Sequence, residues 1–196
     1  MPRTSRKKRP ITRGEVEFKD AYLIVVAVEG AKTEKWYFEL FQPRRVKVVV
    51  RENVENLSSP SQVIEQLHNY KREYNLDETD QLWLVIDRDR WKADEIHQVC
   101  KECNEQGYLK AVSNPCFEYW LLFYHHEKSL SSSSTDAKKQ LRKIHNDLFG
   151  KLSPLYSNIE RTKAAISRAK NADPDPDAPF PQTSGTHVYK LMEQFI

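Results

Sequence analysis

Two continuous apolar runs constrain the fold of this chain more than any other feature of its sequence. Residues 21–28 read Ala-Tyr-Leu-Ile-Val-Val-Ala-Val, and residues 82–86 read Leu-Trp-Leu-Val-Ile. Short runs rich in β-branched side chains are typical of strands, and a strand without polar alternation is buried on both faces. Such strands lie at the centre of parallel sheets covered by helices on both sides. The sequence therefore predicts an α/β fold.

Segments with helical spacing of apolar residues alternate with these runs. Thr33 can cap the first predicted helix, Pro60 suits the first turn of the second, and Gly107 suits the end of the third. Strands that alternate with helices predict a mostly parallel sheet with right-handed crossovers, here of about four strands. The predicted strands are 21–28, 46–50, 82–86 and 109–112, and the predicted helices cover 33–41, 60–74, 94–106 and a short apolar segment after Pro115.

The chain changes character after residue 128. Residues 130–135 read Leu-Ser-Ser-Ser-Ser-Thr, which predicts a linker or mobile loop. The run of alternating Asp and Pro at residues 173–181 cannot be helical. Three amphipathic helices are predicted around these two segments. Their apolar faces are Ala137, Leu141, Ile144 and Leu148, then Leu155, Ile159, Ile166 and Ala169, and finally Val188, Leu191, Met192 and Phe195.

Charge is distributed unevenly, although the net charge of the 196-residue chain is only +3. Residues 1–13 carry six basic side chains and no acid, and residues 131–170 carry nine Lys or Arg against three Asp or Glu. Such blocks suit binding to a phosphate backbone. They are also compatible with a solubilising tail and a solvated helix face. Nucleic acid is therefore one expected partner.

The sequence also indicates a compartment. There is no run of eighteen apolar residues, so we expect no membrane span, and the basic N-terminus lacks the apolar stretch of a secretory signal. Three cysteines in a chain of this kind indicate a reducing compartment, so we expect a cytoplasmic protein. Cys100 and Cys103 form a CxxC, but they share an apolar helix face with Ile96 and Val99. This favours buried thiols over zinc ligands.

Acidic residues directly follow two of the predicted buried strands. Glu29 follows the first, and Asp87 and Asp89 follow the third, two residues apart and therefore on one side of an extended segment. Ligands of open parallel sheets bind beyond the carboxyl ends of the strands. Three clustered carboxylates repel one another, and Mg²⁺, which prefers oxygen ligands, removes that conflict. The sequence predicts a Mg²⁺ site here, with a solvated loop of local ion pairs as the alternative.

Two further residues are candidates for the same site. Asn114-Pro115 favours a turn before the short apolar helix, and a helix N-terminus attracts anions such as phosphate. Glu118 lies in the first turn of that helix, where it could also act only as a favourable partner of the helix dipole. Lys32 follows Glu29 by three residues and is placed to contact a scissile phosphate, or it is an ordinary surface lysine.

These acidic and turn residues belong to segments that resemble the RloB-like protein family. The first segment resembles the family's EGxxTExxYF opening, the next two resemble its following motifs in the same order, and the last two are similar to its end. The chain departs from the family at residues 182–186, where members often read Asn-Pro-Ser-Thr. The similar segments are Val28–Phe38, Asp87–Trp91, Ser113–Leu122, and residues 171–172 and 186–191.

The resemblance implies a Toprim-type fold, a small parallel sheet with helices on both sides. In Toprim domains a Glu after the first strand and an Asp-x-Asp after the third bind Mg²⁺ and act on phosphodiesters. These roles correspond to Glu29, Asp87 and Asp89, and Glu118 belongs to a further family motif. We therefore expect three parts. They are a basic disordered arm (1–19), a Toprim-like catalytic domain (20–128) and a helical extension packed on it (129–196).

The function implied by the resemblance is a metal-dependent endonuclease, with Mg²⁺ or Mn²⁺ as cofactor. RloB-like proteins are encoded beside an ABC-type ATPase, and similar effectors act in anti-phage defence, one of them by cleaving tRNA. RNA is thus the favoured substrate, and Lys32 or Arg88 would offset charge that develops during the reaction. The alternatives are a DNA nuclease or nickase, and a non-catalytic subunit that binds the ATPase. A homodimer is one option for the assembly.

Overall fold

The computed structural model describes residues 22–30, 32–41, 46–51, 59–126, 133–144 and 153–196. The basic arm predicted at residues 1–19 and the apolar position Leu148 lie outside these ranges. No helix within them is both long enough and apolar enough to cross a lipid bilayer.

The described strands form one sheet in the order β2-β1-β3-β4-β5. The first four strands are parallel, and β5 pairs with β4 in the antiparallel direction. The α/β architecture and its mostly parallel sheet are therefore confirmed. The fifth strand is not predicted, because two residues carry no periodic pattern. The strands are β1 (Tyr22–Val28), β2 (Val46–Arg51), β3 (Gln81–Asp87), β4 (Leu109–Asn114) and β5 (Gly185–Thr186).

The first four helices follow the predicted segments closely. Ser59 precedes α2 and its N–H donates to Gln62 Oε1 at 3.1 Å, while Gly107 ends α3 in the left-handed conformation with φ of 73°. The prediction that Thr33 caps α1 is wrong, because Thr33 is the first helical residue and Lys32 holds the cap position without a side-chain bond. These helices are α1 (Thr33–Glu39), α2 (Pro60–Glu73), α3 (Ala93–Gln106) and α4 (Phe117–Leu122).

The later helices differ from the prediction in three places. Ser134 and Thr135 were expected in a loop but begin α5, and Ile144 at its end is exposed. Ile159 is 57% exposed and is the first residue of a new helix, where the Asn158 side chain accepts a bond from Arg161 N. The predicted segment around 155–169 is thus two helices. The later helices are α5 (Ser134–Ile144), α6 (Ser153–Tyr156), α7 (Ile159–Ala172) and α8 (Val188–Met192).

Alternate side chains of β1 enter two separate cores, one on each face of the sheet. Ile24, Val26 and Val28 pack with α1, α4, α5, α7 and α8, whereas Leu23 and Val25 pack with α2 and α3. This explains why the strand is apolar throughout. Cys100 and Cys103 are free, buried thiols in the second core, as their helical spacing predicts.

Candidate functional site

The Glu29 carboxylate is held at the carboxyl edge of the sheet by three donors. Glu29 follows β1, and its own N–H donates to Val85 O of β3 at 3.2 Å. Its Oε2 accepts from the backbone N–H of Asp87 at 3.2 Å, and its Oε1 accepts from Arg90 Nη2 and Trp91 Nε1, each at 3.3 Å. Burial raises the pKa of Glu29, although these bonds and the Arg90 charge oppose the shift. The side chain is therefore oriented by the protein before any ligand binds.

Glu34 is a second buried carboxylate beside the first, and sequence reasoning did not select it. It lies in the first turn of α1, is 8% exposed, and its Oε1 accepts from the Gly30 N–H at 3.1 Å. Burial and the charges of Glu118 and Glu29 raise its pKa to about 7. The signal that could have identified it is its place in the EGxxTE segment of the family motif.

These carboxylates meet Asp87, Asp89 and Glu118 around one cavity of about 360 Å³. The pKa of Asp87 lies well above its usual value, because of burial and then because of the charges of Glu34, Glu29, Glu118 and Asp89. The cavity is thus a region where negative charge is in excess. Five of the six predicted site residues, all except Arg88, line it. The lining residues are Glu29, Gly30, Lys32, Thr33, Glu34, Asp87, Asp89, Arg90, Glu118 and Lys138.

The segment Ser113–Glu118 supports the Asp-x-Asp through its backbone. Ser113 O accepts from Arg88 N at 2.8 Å, and Pro115 O accepts from Asp89 N at 3.0 Å. These two bonds hold the turn after β3 against the end of β4. The segment therefore positions Asp89 as well as supplying Glu118.

Residues of the C-terminal tail form hydrogen bonds with the same segment. Asn114 Nδ2 donates to Pro181 O at 2.9 Å, and the hydroxyls of Ser113 and Thr186 lie 2.9 Å apart. Thr186 belongs to β5, which continues the sheet beside β4. The tail thus adds structural support behind the acidic cavity.

Positive charge reaches the cavity from three places. Lys32 and Arg90 lie beside Glu29 in sequence or space, and Lys138 comes from α5 in the helical extension. Burial alone would lower the pKa of Lys138, but the charges of Glu118 and other nearby acids raise it. Of the two cations that the sequence offered as alternatives for offsetting charge, Lys32 lines the cavity, whereas the Arg88 guanidinium lies 5.8 Å from the Phe180 ring centre. Arg90, which sequence reasoning did not select, also lines the cavity.

The cavity fits a divalent cation by donor chemistry, although its carboxylates do not form a closed ligand set. Within the described residues, no three Asp, Glu, His or Cys side chains converge as a metal site. The donors are all carboxylate oxygens, the ligands that Mg²⁺ prefers. Burial, and after it the charges of neighbouring carboxylates, raises the pKa of Asp87 and of Glu34, and a bound cation would favour the charged forms of both groups.

Comparison with known proteins gives one result. A family model described as RloB-like protein matches residues 24–195, which includes every residue of the cavity. Searches of curated proteins and of solved structures returned no match. The matched segment covers most of the chain. The chain therefore belongs to the RloB-like protein family.

Proposed function

We propose that this protein is a metal-dependent nuclease that cleaves phosphodiester bonds in nucleic acid, with RNA as the favoured substrate. One observation carries the proposal. Five carboxylates from β3, α1, α4 and the turns after β1 and β3 surround one cavity at the carboxyl edge of a parallel sheet. An acidic cluster at this edge is where an open α/β sheet binds ligands, and family membership is consistent with a Toprim-type centre.

Asp87 and Asp89 would hold the cation, which we propose to be Mg²⁺ or Mn²⁺. Glu29 would serve as a further ligand or as general base for water, and Glu34 and Glu118 would complete the acidic wall. A bound Mg²⁺ supplies positive charge beside a phosphate and lowers the pKa of an attacking water.

The remaining residues of the cavity position groups and balance charge. Arg90 and Trp91 fix the orientation of the Glu29 carboxylate, so that it needs little reorganisation during a reaction. Lys32 and Lys138 offer ammonium groups that can offset the negative charge of a phosphate. Carboxylates and ammonium groups arranged in this way can act on any phosphodiester, and they do not by themselves select one kind of nucleic acid.

Family resemblance supports a role as the toxic effector of an ATPase-linked anti-phage defence system. RNA cleavage, of tRNA in particular, is the activity we propose for that role. A DNA nuclease or nickase is the alternative within enzymes, because carboxylates and ammonium groups that act on a phosphodiester do not by themselves distinguish RNA from DNA.

Sequencing of cellular nucleic-acid ends tests the proposal directly. Wild type, Asp87→Asn and the exposed control Glu78→Gln are each expressed together with the ABC-type ATPase that the family resemblance implies as partner, and the cells are challenged with phage. We expect discrete new RNA ends with wild type and Glu78→Gln, and none with Asp87→Asn. Cleavage that is unchanged by Asp87→Asn rejects the site, and new DNA ends with intact RNA assign a DNA nuclease.

A non-catalytic binding subunit is distinguished by two measurements on purified protein. Calorimetric titration reports Mg²⁺ binding, and incubation with total RNA and plasmid DNA reports turnover. Binding of Mg²⁺ without cleavage, in the presence of the ATPase and phage extract, would support the binding subunit and contradict the nuclease.

A further inference from the structure

Helix α5 begins at the edge of the acidic cavity. Ser134 Oγ donates to Asp89 Oδ2 at 2.9 Å, which fastens the first turn of the helix to the Asp-x-Asp. Lys138 follows four residues later on the same face and lines the cavity. Ala137 and Leu141 are buried against the rest of the first core, so the position of the helix is set by packing. The helical extension therefore contributes directly to the site.

The charge balance at Lys138 depends on what else is bound. Arg90 already pairs with Glu29, with Nη2 3.3 Å from Oε1. In the described part of the chain, no ion pair holds the Lys138 ammonium, which instead interacts at longer range with Glu118, Asp87 and Asp89. Without a cation, this lysine partly offsets the carboxylates. A divalent cation held by these carboxylates would reduce their net negative charge and so weaken their attraction for the ammonium, which could then pair with another anion in the same cavity.

A lysine in this place is unfavourable for metal binding alone, because like charges repel at short range. An anionic group bound in the cavity would offset that repulsion and give the ammonium a partner. We propose that Lys138 binds a phosphate of the substrate strand in the metal-loaded cavity, so that the helical extension completes the active site. This inference rests on the proposed nuclease function and assigns a role in that function to Lys138.

Binding of a short fluorescent single-stranded RNA, followed by anisotropy in Ca²⁺ and in EDTA, tests the role of Lys138 without turnover. The variants are Lys138→Ala, Lys138→Arg and the control Lys139→Ala, which removes the adjacent exposed lysine from the same helix. Calorimetry measures the Mg²⁺ affinity of each protein without RNA. We expect Lys138→Ala to lose about tenfold in RNA affinity in Ca²⁺, the scale of one charge-assisted bond.

Three accompanying results are expected if Lys138 contacts phosphate. The loss is absent in EDTA, Lys138→Arg retains most of the affinity, and the Mg²⁺ affinity of Lys138→Ala is equal to or higher than that of wild type. Lys139→Ala should change RNA affinity by no more than about twofold, because an exposed lysine makes a weak, screened contribution.

In the competing explanation, Lys138 only balances the charge of Glu118 within the protein. This explanation predicts a different pattern. Lys138→Ala would then lower thermal stability in EDTA and leave RNA affinity in Ca²⁺ unchanged, and that result overturns the inference. An equal loss in Lys138→Ala and Lys139→Ala overturns it as well. If wild type binds Mg²⁺ but neither RNA nor DNA, the nuclease proposal itself fails and Lys138 loses its role with it. If wild type cleaves RNA and Lys138→Ala cleaves equally well, only the inference about Lys138 fails.

Discussion

The carboxylate of Glu34 lies directly against the backbone of Gly30, whose N–H donates to its Oε1 at 3.1 Å. A Cβ at residue 30 would overlap both carboxylate oxygens and the carboxyl carbon of Glu34. A side chain at residue 30 would therefore displace the Glu34 carboxylate. This contact joins the turn after β1, which carries Glu29, to the first turn of α1.

Gly30→Ala should displace the Glu34 carboxylate and leave the fold intact, because the overlapping group is the end of a flexible side chain. We expect nucleic-acid cleavage to fall at least about tenfold, with a small change in the thermal midpoint. The double variant Gly30→Ala/Glu34→Ala should be no less active than Glu34→Ala alone. If the double variant instead lost as much activity as the two single losses combined, Gly30 would act independently of Glu34.

Asp87→Asn should reduce the stabilisation of the protein by Mg²⁺ and should not lower its stability without metal. Without metal, the substitution removes a carboxyl group whose charged form is disfavoured by burial and by four other carboxylates, so the variant should be at least as stable as wild type in EDTA. Saturating Mg²⁺ should stabilise wild type by about 2.7 kcal/mol at one hundred times its Kd and the variant much less. Thermal unfolding in EDTA and in Mg²⁺ measures both, with Glu78→Gln as the control. An equal Mg²⁺ response in all three proteins would contradict the ligand assignment.

Acidification should destabilise the protein through His187, which directly follows β5. Its ring is 1% exposed, its Nε2 lies 3.3 Å from Asp173 Oδ2, and burial followed by the Lys190 charge lowers its pKa to about 4. Lys110 also opposes protonation, whereas Asp173 and Asp175 favour it. The unfolded chain therefore binds the proton first. The stability supplied by neutral His187 is complete above about pH 6.5 and falls as the pH drops towards 4.

The variant His187→Asn isolates this contribution from that of the acidic cavity, whose raised carboxyl pKa values act in the opposite direction. Urea unfolding of both proteins at several pH values gives their difference in free energy. We expect that difference to shrink on acidification by on the order of 1 to 3 kcal/mol. A difference that is constant with pH would show that His187 titrates normally.

A network of buried hydroxyl groups joins α1 to α7. Its members should contribute unequally to the free energy of unfolding. Tyr37 and Tyr124 hydroxyls lie 2.8 Å apart, and the Tyr124 hydroxyl also reaches Thr162 Oγ1 at 3.0 Å and Tyr156 O at 3.3 Å. Tyr37→Phe should lower the free energy of unfolding by about 1 kcal/mol, and Tyr124→Phe by about 2 kcal/mol, because it leaves more buried partners unsatisfied. Urea unfolding measures both, and equal losses would rule out this order.

Much of the fold could be predicted from the sequence because its signals are local. The apolar run at 21–28 identifies a central strand, and Gly107 marks a helix end whatever lies around it. The proximity of Glu29 and Asp87 followed from the same reasoning, since carboxyl ends of adjacent parallel strands share one edge. Ile144 and Ile159 lie on the predicted apolar helix faces but are exposed, because helical spacing shows a face without showing whether another element covers it.

Local sequence patterns account for the alternation of strands and helices and for the acidic residues at the strand ends. That Glu34 faces the same cavity, that Arg90 pairs with Glu29 and that Lys138 joins them follows only from the folded structure. The physical reason is distance along the chain. Lys138 lies about fifty residues after Asp87, and its place depends on how α5 packs on α4, which no local pattern encodes.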